Sequence, residues 1–547
     1  MITKKGTEVW SCQECFWTHR GDVAAEVARR LEPTEAPPPR TVLDAIKQDV
    51  QARHPVSARP IMVLGTTSGA GKTLIAAALC RIFSDLGFNV APFKSQNMSL
   101  NSMVTPEGAE ISRAQALQAA AARTRPDAWM NPILLKPKQD DVSQVIVEGR
   151  PYRDMNVPTY YGEFVMTKGV EITRKAWEHL RRTHDIVVIE GAGSPAEINI
   201  MDVDIANMGT AEIARAPCIL VVNMEWGGGF AYAYGTIMLL PPQRRAMVRG
   251  IVLNNMSGDL SCLNEGVREL EDRLGVPVLG ILPHIEHTLP DEDSQDLGRK
   301  RGGGGIRVGV IHLPRISNFT DLDALALSGA EVIYVREPSE LRDVGAIVIP
   351  GTKNTVADLV WLRESGLFDA IRGMRGKVPI LGICGGYQML GREVIDLKGI
   401  EGDEGAVWEG LGLLDTSTDF DAYEKRTVQV NGRLAAGGGE VRGYEIHMGS
   451  SKSRETPLFI MLENGGEKEE GALSPDGMVM GSYVHGLFDL PAFRSVFLSK
   501  AVGGVRSGGP ETDRDRSVDE GLDALAAAVR SHLDMEKLLK IVEEGLP

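Results

Sequence analysis

Cys384 is the residue of this chain with the clearest chemical potential. An apolar run at residues 378–383 ends at this cysteine, and Gly385 and Gly386 follow directly. This pattern is typical of a strand that enters a helix through a tight turn carrying a nucleophile, where small residues permit close approach of other segments. A helix N-terminus also favours the thiolate over the thiol. The local sequence leaves a buried structural cysteine as the alternative.

A glycine-rich loop at residues 65–73, Gly-Thr-Thr-Ser-Gly-Ala-Gly-Lys-Thr, is the second chemical feature. It follows a short apolar strand and opens a helix, so its backbone N–H groups could cradle phosphates. Lys72 would reach the β and γ phosphates of ATP, and the Thr73 hydroxyl would bind Mg²⁺. The spacing resembles the dethiobiotin-synthetase-like branch of phosphate-loop proteins. A glycine-rich turn without a ligand is the alternative. The predicted ATP-binding residues are Gly65, Thr66, Gly69, Gly71, Lys72 and Thr73.

Glu190 directly follows another predicted strand, at residues 185–189. Open α/β sheets bind their ligands at the carboxyl ends of the strands. We therefore expect Glu190 to be a second contact of Mg²⁺ beside Thr73. An acidic helix cap is the alternative interpretation.

The chain has 547 residues, more than one hydrophobic core usually spans, which predicts two to four domains. A formal net charge of −15 argues against a broad nucleic-acid surface. No apolar run approaches the roughly 20 residues of a membrane span, and the first residues lack a signal-peptide core. Six cysteines in a chain of this length do not suggest a disulfide scaffold. These features predict a cytoplasmic protein with neither a nucleic-acid nor a membrane partner.

The order of strands and helices predicts two α/β domains, each with a parallel sheet. Residues 1–58 are predicted to be a poorly ordered extension, in which the lone Cys12 and Cys15 pair favours a surface segment over a metal or redox site. The predicted first domain covers residues 59–298, a glycine-rich linker covers 299–305, and the second domain covers 306–547. Within the second domain, residues 427–444 and 477–484 have an antiparallel character, and one helix is predicted at 519–544.

A phosphate loop and a candidate thiol nucleophile in one chain narrow the chemistry. Kinases and GTPases have no need of the thiol. Glutamine-dependent ligases need both, because one site releases ammonia and the other activates an acceptor with ATP.

From about residue 60 onward, the sequence resembles the cobyric acid synthase family, the glutamine-dependent amidotransferases of cobalamin biosynthesis. The motifs that carry the resemblance lie at residues 91–102, 113–118, 130–137, 190–197, 204–209, 313–321, 350–354, 384–390, 443–449 and 483–488. The resemblance implies an N-terminal, dethiobiotin-synthetase-like, ATP-dependent amidoligase domain and a C-terminal, flavodoxin-like, class I glutamine amidotransferase domain. It also implies glutamine and ATP-Mg²⁺ as reactants, with four amidations at the b, d, e and g side chains of adenosylcobyrinic acid a,c-diamide, a corrinoid.

The resemblance also implies roles for individual residues. Cys384 is expected to attack the glutamine carboxamide, and His485 to activate the thiol and protonate the leaving ammonia. The N–H groups of Gly351 and Gly385 are expected to form the oxyanion hole, and Gln388 to help hold glutamine.

His447 and His312 are competing histidines, of which the second directly follows a predicted strand. We prefer His485 because an apolar strand could deliver it to the cysteine. Many class I amidotransferases carry a glutamate two residues after this histidine; Leu487 stands there. We therefore expect a Cys–His pair without a third member.

The ligase half departs from the family pattern in residues 223–228, Asn-Met-Glu-Trp-Gly-Gly. Asn223 replaces an aspartate and Trp226 an arginine, whereas the acid Glu225 is retained. Asn255 and Ser257 stand where basic residues are common. These changes remove charge near the expected nucleotide or corrin site.

Two rival functions stay open. A cobyrinic acid or hydrogenobyrinic acid a,c-diamide synthase has the same architecture but acts earlier on the corrin. A non-enzymatic ATPase of the partitioning type would bind a partner or DNA, and the acidic charge and the Cys384 domain disfavour it. The sequence also leaves the oligomeric state open, and a homo-oligomer is one possibility.

Overall fold

A computed structural model describes residues 57–139, 141–287, 289–290, 305–402, 404–463, 465–501 and 514–546, with the backbone of three short strands among the first twenty residues. Most of the predicted extension, including Cys12 and Cys15, and most of the predicted linker lie outside the described residues. The boundaries predicted for the domains therefore stay a prediction.

The first domain is built on a six-stranded parallel sheet. Consecutive residues of its strands are apolar and face different cores: Ile61 and Val63 pack in one hydrophobic cluster, Met62 and Leu64 in the other. Burial on both faces explains the near-continuous apolar runs. In spatial order the strands are Val278–Pro283, Val248–Met256, Cys218–Asn223, Arg59–Gly65, Ile186–Glu190 and Val90–Phe93.

Helices surround this sheet, and a smaller sheet and a hairpin extend from it. The helices are Lys72–Asp85, Arg113–Ala121, Val157–Thr159, the π-helix Tyr160–Gly169, Val170–Thr183, Met208–Ala214, Gly229–Leu239, Pro242–Arg245 and Asn264–Leu274. The smaller sheet has the order Arg150–Asn156, Val142–Val147, Ile133–Gln139 and Gln96–Met98, and the hairpin pairs Ser102–Val104 with Glu110–Ser112.

The second domain has its own six-stranded sheet, parallel except at one edge. Its strands are also covered on both faces, since Ile347 and Ile349 belong to one core and Ala346 and Val348 to another. In spatial order the strands are Glu331–Val335, Arg307–Ile311, Ala346–Ile349, Ile380–Ile383, Val479–Ser482 and Ala472–Leu473. The helices are Asp323–Leu327, Thr355–Glu364, Leu367–Arg372, Gly385–Leu390 and Pro491–Ala501. Two parallel-sheet α/β domains were predicted, and this is confirmed.

Two smaller sheets complete the second domain. Arg426–Leu434 and Glu440–His447 pair antiparallel, as predicted. The antiparallel prediction for residues 477–484 is confirmed in part. Val479–Ser482 pairs antiparallel with Ala472–Leu473, and Val484–His485 with Glu440–His447. On its other side, Val479–Ser482 runs parallel to Ile380–Ile383 in the main sheet. In spatial order, the strands of the five-stranded sheet are Gly466–Glu470, Phe459–Glu463, Arg426–Leu434, Glu440–His447 and Val484–His485. Those of the four-stranded sheet are Ala406–Glu409, Glu393–Asp396, Thr416–Asp419 and Ser450–Ser453.

The end of the chain forms two helices, Arg514–His532 and Met535–Glu544, where one was predicted. The break has a tertiary cause: Leu533 forms a β-bridge to Gly280, and Asp534 caps the second helix by accepting from the Lys537 N–H at 3.0 Å. Both helices pack against the core of the first domain rather than the second. Among the described helices, none is long and apolar enough to cross a membrane.

Candidate active sites

The phosphate loop lies between the strand Arg59–Gly65 and the helix Lys72–Asp85, as predicted. Gly71 has a φ of 96°, a conformation that strongly favours glycine. A Cβ at Gly65 would lie 2.8 Å from Cγ of Lys72, so this glycine makes room for the lysine stem. Lys72 Nζ donates to the carbonyls of Thr67 at 2.7 Å and Gly193 at 3.0 Å. The ammonium is thereby held over the loop.

Thr73 and Glu190 meet behind the loop. The Thr73 hydroxyl donates to Oε1 of Glu190 at 2.7 Å, and this carboxylate is fully buried. Lys94 Nζ binds the same oxygen at 2.7 Å, and Gln118 Nε2 donates to Oε2 at 2.5 Å. The hydroxyl and the carboxylate are two hard oxygen ligands, and they fit Mg²⁺, which takes few protein ligands and fills its remaining positions with water and phosphate oxygens. Groups of three or more His, Cys, Asp or Glu suited to a metal are absent from the part of the chain described.

Lys94 and Gln118 were missed as site residues, although both lie in motifs that the sequence singles out, residues 91–102 and 113–118. The ammonium of Lys94 balances the buried charge of Glu190, and their ion pair explains how a carboxylate can stay here without solvent. Their proximity depends on the fold, since 96 positions separate them.

The unusual segment at residues 223–228 also lies at the loop. Asn223 Nδ2 donates to the Gly69 carbonyl at 3.2 Å, and Asn254 Nδ2 donates to the Ala70 carbonyl at 3.0 Å. Trp226 is 67% exposed, and its ring lies 3.2 Å from the position of a Cβ on Gly69. Asn223 therefore supports the loop backbone, and Trp226 presents an aromatic face beside it, whereas Glu225 is exposed.

Cys384 stands between the strand Ile380–Ile383 and the helix Gly385–Leu390, with a φ of 53° and a ψ of −110°. A non-glycine residue in this conformation is strained, as at the turns that carry nucleophiles. A Cβ at Gly386 would lie 2.0 Å from the Ile349 carbonyl, so only glycine fits there. The thiol is buried and contacts the Ile446 carbonyl at 3.5 Å.

His485 lies next to Cys384 and is 1% exposed. Its Nδ1 is 2.6 Å from Oδ2 of Asp321, whose Oδ1 accepts from the Gly486 N–H at 3.0 Å. Burial lowers the pKa of His485, but the carboxylate of Asp321 and the thiol of Cys384 together raise it to about 10. The ring therefore carries a positive charge at neutral pH, beside the sulfur.

The expectation of a pair without a third member is wrong, because Asp321 supplies a carboxylate from a distant part of the chain. It holds the histidine as a triad carboxylate does, by fixing Nδ1. Leu487 is buried in the core of the domain. Asp321 ends a motif noted in the sequence, but nothing local links it to His485.

The other two histidines have different surroundings. His447 stacks on Tyr483 with ring centroids 3.7 Å apart, and its Nε2 lies 3.3 Å from Glu445. His312 contacts Tyr334 and Arg336, and burial together with the Arg336 charge lowers its pKa. His447 lines the same pocket as Cys384, but the contact with the sulfur is one of the causes that raise the pKa of His485.

The three predicted glutamine-binding positions surround the thiol. A Cβ at Gly351 would lie 2.9 Å from the His485 ring, and Gly385 is the first residue of the helix after Cys384. Gln388 is buried and bound on both sides: Oε1 accepts from Thr355 at 2.7 Å, and Nε2 donates to the Met448 carbonyl at 2.9 Å. Its amide therefore shapes the pocket wall.

The pocket that contains Cys384 also contains Lys353 and Glu401. Lys353 is 9% exposed. Among the described residues, its ammonium has no hydrogen-bond or ion-pair partner at contact distance. Burial lowers its pKa, which Glu401 only partly offsets. Glu401 accepts from the Thr355 N–H at 2.7 Å, and burial raises its pKa. Lys136 and Lys425 also line this pocket, but both are paired with the buried Glu110. Lys353 is therefore the one lysine of this pocket without a carboxylate at contact distance among the described residues, and Glu401 faces the same space as the thiol.

A cavity of about 600 Å³ lies where the first domain, the second domain and the helix Arg514–His532 meet. Thr73 of the phosphate loop lines it, and so does Tyr444, whose ring stacks on His485 with centroids 5.4 Å apart. The cavity therefore reaches the phosphate loop at Thr73 and, through Tyr444, the neighbourhood of His485, whereas Cys384 lines a separate pocket. Ser102 of the first domain holds the tyrosine in place, since Tyr444 donates from its hydroxyl to the Ser102 carbonyl at 3.1 Å.

Comparison with known proteins agrees with this pair of sites. Residues 61–295 match the CobQ/CobB/MinD/ParA nucleotide binding domain, and residues 307–493 match the CobB/CobQ-like glutamine amidotransferase domain. A probable cobyric acid synthase of Methanosarcina mazei is 46% identical over 496 residues, which cover 88% of this chain and 99% of the relative. The chain belongs to the cobyric acid synthase family.

Further family members show the same extent of similarity. A cobyric acid synthase of Salmonella arizonae is 43% identical over 504 residues, 88% of this chain and 98% of its own length. A probable cobyric acid synthase of Methanosphaerula palustris is 47% identical over 498 residues, 89% of this chain and 99% of its own. As a member of this family the chain is an amidotransferase of the ligase class, with a nucleotide-binding domain and a glutamine amidotransferase domain.

Proposed function

We propose that this chain makes adenosylcobyric acid from adenosylcobyrinic acid a,c-diamide, by amidating the b, d, e and g carboxylates with glutamine as nitrogen donor and ATP as energy source. The observation that carries the proposal is that one chain combines a phosphate loop with a buried Cys384–His485–Asp321 arrangement, with a cavity that extends from Thr73 to Tyr444 beside His485. The names of the relatives supply the corrinoid substrate.

At the phosphate loop, Lys72 and the backbone N–H groups of residues 65–73 bind the phosphates of ATP. Thr73 and Glu190 hold Mg²⁺, which when bound neutralises phosphate charge. The γ-phosphoryl group passes to a corrin side-chain carboxylate, giving an acyl phosphate and ADP. Catalysis of this transfer is mainly positioning and charge stabilisation, which Lys72 provides.

At the cysteine turn, the Cys384 thiolate attacks the carboxamide carbon of glutamine. The His485 imidazolium protonates the departing nitrogen, so ammonia leaves and a thioester remains. Water then cleaves the thioester to glutamate and restores the thiol. The N–H groups of Gly351 and Gly385 stabilise the oxyanion at both tetrahedral stages.

Glutamine also presents a carboxylate and an ammonium group, and the pocket contains a partner for each. The Lys353 ammonium binds the α-carboxylate, and the Glu401 carboxylate binds the α-ammonium. The state of Lys353 supports this role. Its buried ammonium has Glu401 nearby but no carboxylate at contact distance among the described residues, and a ligand carboxylate would offset the cost of burial.

Ammonia formed at Cys384 must reach the acyl phosphate without escaping into water. The cavity bordered by Tyr444 and Thr73 supports a route inside the protein. Ammonia displaces phosphate from the acyl phosphate, which yields the amide. One cycle therefore converts glutamine and ATP into glutamate, ADP and phosphate, with one new amide on the corrin.

The test is to supply MgATP and glutamine with each corrinoid and count amides by mass. We expect four mass shifts on adenosylcobyrinic acid a,c-diamide. Two shifts on cobyrinic or hydrogenobyrinic acid, and none on the a,c-diamide, would indicate the a,c-diamide synthase instead. Absence of any glutaminase activity would favour the ATPase of the partitioning type. Lys72→Ala should abolish amidation with glutamine and with ammonium, because both need the acyl phosphate.

A further inference from the structure

The helix Arg514–His532 belongs to neither matched family region, yet it is attached firmly to the nucleotide-binding domain. Leu522, Leu525 and Val529 pack in the core that contains the helix Lys72–Asp85. Arg81 of that helix is fully buried and pairs with Asp519 and, at 3.2 Å, with Asp523. The C-terminal helix is therefore fixed to the helix that begins at the phosphate loop.

The first residue of this helix reaches the other domain. Arg514 is 3% exposed, and its guanidinium donates to both carboxylate oxygens of Asp489, at 2.8 and 3.0 Å. It also lies 3.5 Å from the carboxylate of Asp323. Nη1 makes both contacts to Asp489 while Nη2 faces Asp323, so the two nitrogens of the guanidinium reach two different carboxylates.

The two carboxylates belong to the segments that carry the His485–Asp321 pair. Asp323 follows Asp321 by two residues. Asp489 closes the turn after His485, with its N–H donating to the Gly486 carbonyl at 3.0 Å. Arg514 thus joins the turn behind the imidazole to the turn that holds its carboxylate partner, and its charge also acts on Asp321.

We propose that Arg514 is a positioning residue for the His485–Asp321 pair, supplied by the C-terminal helix from the nucleotide-binding domain. Without the guanidinium, Asp489 and Asp323 would be partly buried carboxylates close to Asp321 and without this counterion. Their repulsion would move the two turns apart and turn the imidazole away from Cys384. The inference rests on the proposed glutaminase function of Cys384.

The test compares Arg514→Ala and Arg514→Lys with Arg516→Ala. Arg516 lies on the same helix but is exposed, and pairs only with Glu520 among the described residues. Each variant is assayed with MgATP and adenosylcobyrinic acid a,c-diamide for glutamate release, for amide formation with glutamine, and for amide formation with ammonium.

Arg514→Ala should lower kcat for glutamate release by about 10- to 100-fold, the usual cost of losing a residue that orients a catalytic group. KM for glutamine should change by less than about 3-fold, and the ammonium-dependent rate should be retained. Arg514→Lys should recover part of kcat, as should guanidinium chloride added to Arg514→Ala. Arg516→Ala should match the wild type in every assay.

Three results would overturn the proposal. One is an unchanged kcat for glutamate release in Arg514→Ala. Another is an equal loss of the glutamine and ammonium rates, with no recovery by lysine or guanidinium, which would indicate a role in folding alone. The third is normal glutamate release with poor amide yield, which would mean that Arg514 only seals the cavity. Failure of the proposed function is a separate result, since Cys384→Ala would then still release glutamate.

Discussion

The imidazole of His485 lies 2.6 Å from the carboxylate of Asp321, although 164 positions separate the two residues in the sequence. The carboxylate comes from the short 3₁₀ helix Phe319–Leu322, and the histidine from the strand Val484–His485. A different element of the fold thus supplies the carboxylate partner for His485 that Leu487, an apolar residue, cannot provide.

Asp321→Asn should remove the charge that stabilises the imidazolium while keeping the side-chain size. We expect kcat for glutamate release to fall by about 10²- to 10⁴-fold, as when an asparagine replaces the carboxylate of a triad. Ammonium-dependent amidation should be unaffected. Glutamate release measures the effect, and Asp343→Asn, at an exposed position, is the matched control. A loss below 2-fold would contradict the role of Asp321.

The pH dependence follows from the raised pKa of His485, about 10 against an ordinary value of 6.5. A raised pKa keeps the imidazolium as pH rises past 6.5, and the charge is lost only as pH passes through about 10. The ¹⁵N chemical shifts of the His485 ring, followed by NMR, should therefore stay those of an imidazolium from about pH 6.5 to 9.

In Asp321→Asn the largest pKa-raising cause is gone, so the imidazolium should be lost at a lower pH. The ring shifts of that variant should change to those of a neutral imidazole at a lower pH than in the wild type. Wild-type shifts that titrate near pH 6.5, as for an isolated histidine, would show that Asp321 does not hold the charge on the ring.

Lys353→Gln should weaken glutamine binding and leave the chemistry intact. We expect KM for glutamine to rise by about 30- to 100-fold, equivalent to losing one charged hydrogen bond, with kcat changed little. Lys377→Gln, at an exposed site, is the control. 4-Aminobutanamide, which is glutamine without its α-carboxylate, should be hydrolysed equally by the wild type and Lys353→Gln. Slower hydrolysis of this analogue by Lys353→Gln than by the wild type would contradict binding of the α-carboxylate by Lys353.

Much of the fold could be predicted because it depends on local patterns. Buried parallel strands have apolar runs, and the phosphate loop and the cysteine turn each place glycines where the backbone requires them. Asp321 could not be assigned, since His485 is 164 positions away and the carboxylate has no local signal of its own. The break at Leu533–Asp534 depends on pairing with Gly280, and an amphipathic helix does not specify which domain it covers. The parallel pairing of Val479–Ser482 with Ile380–Ile383 was missed because the fold, not residue type, decides which strands become neighbours.

The cavity between the sites predicts a variant that separates the two half-reactions. Ala116 is buried and lines this cavity. Ala116→Phe should fill part of the space and hinder ammonia, so glutamate should form faster than amide. The ratio of glutamate to amide, near one in the wild type, measures this, and added ammonium should restore amidation if it enters from solvent at the ligase end. A ratio that stays near one in a folded variant would exclude this route.

The central claim is that one chain joins a glutaminase to an ATP-dependent ligase. Cys384→Ala tests it most directly, assayed with MgATP and adenosylcobyrinic acid a,c-diamide, with glutamine or ammonium as the nitrogen source. We predict that glutamine-dependent amidation disappears and that ammonium-dependent amidation persists at the wild-type rate. Loss of both activities in a folded variant, or survival of the glutamine-dependent one, would contradict the account.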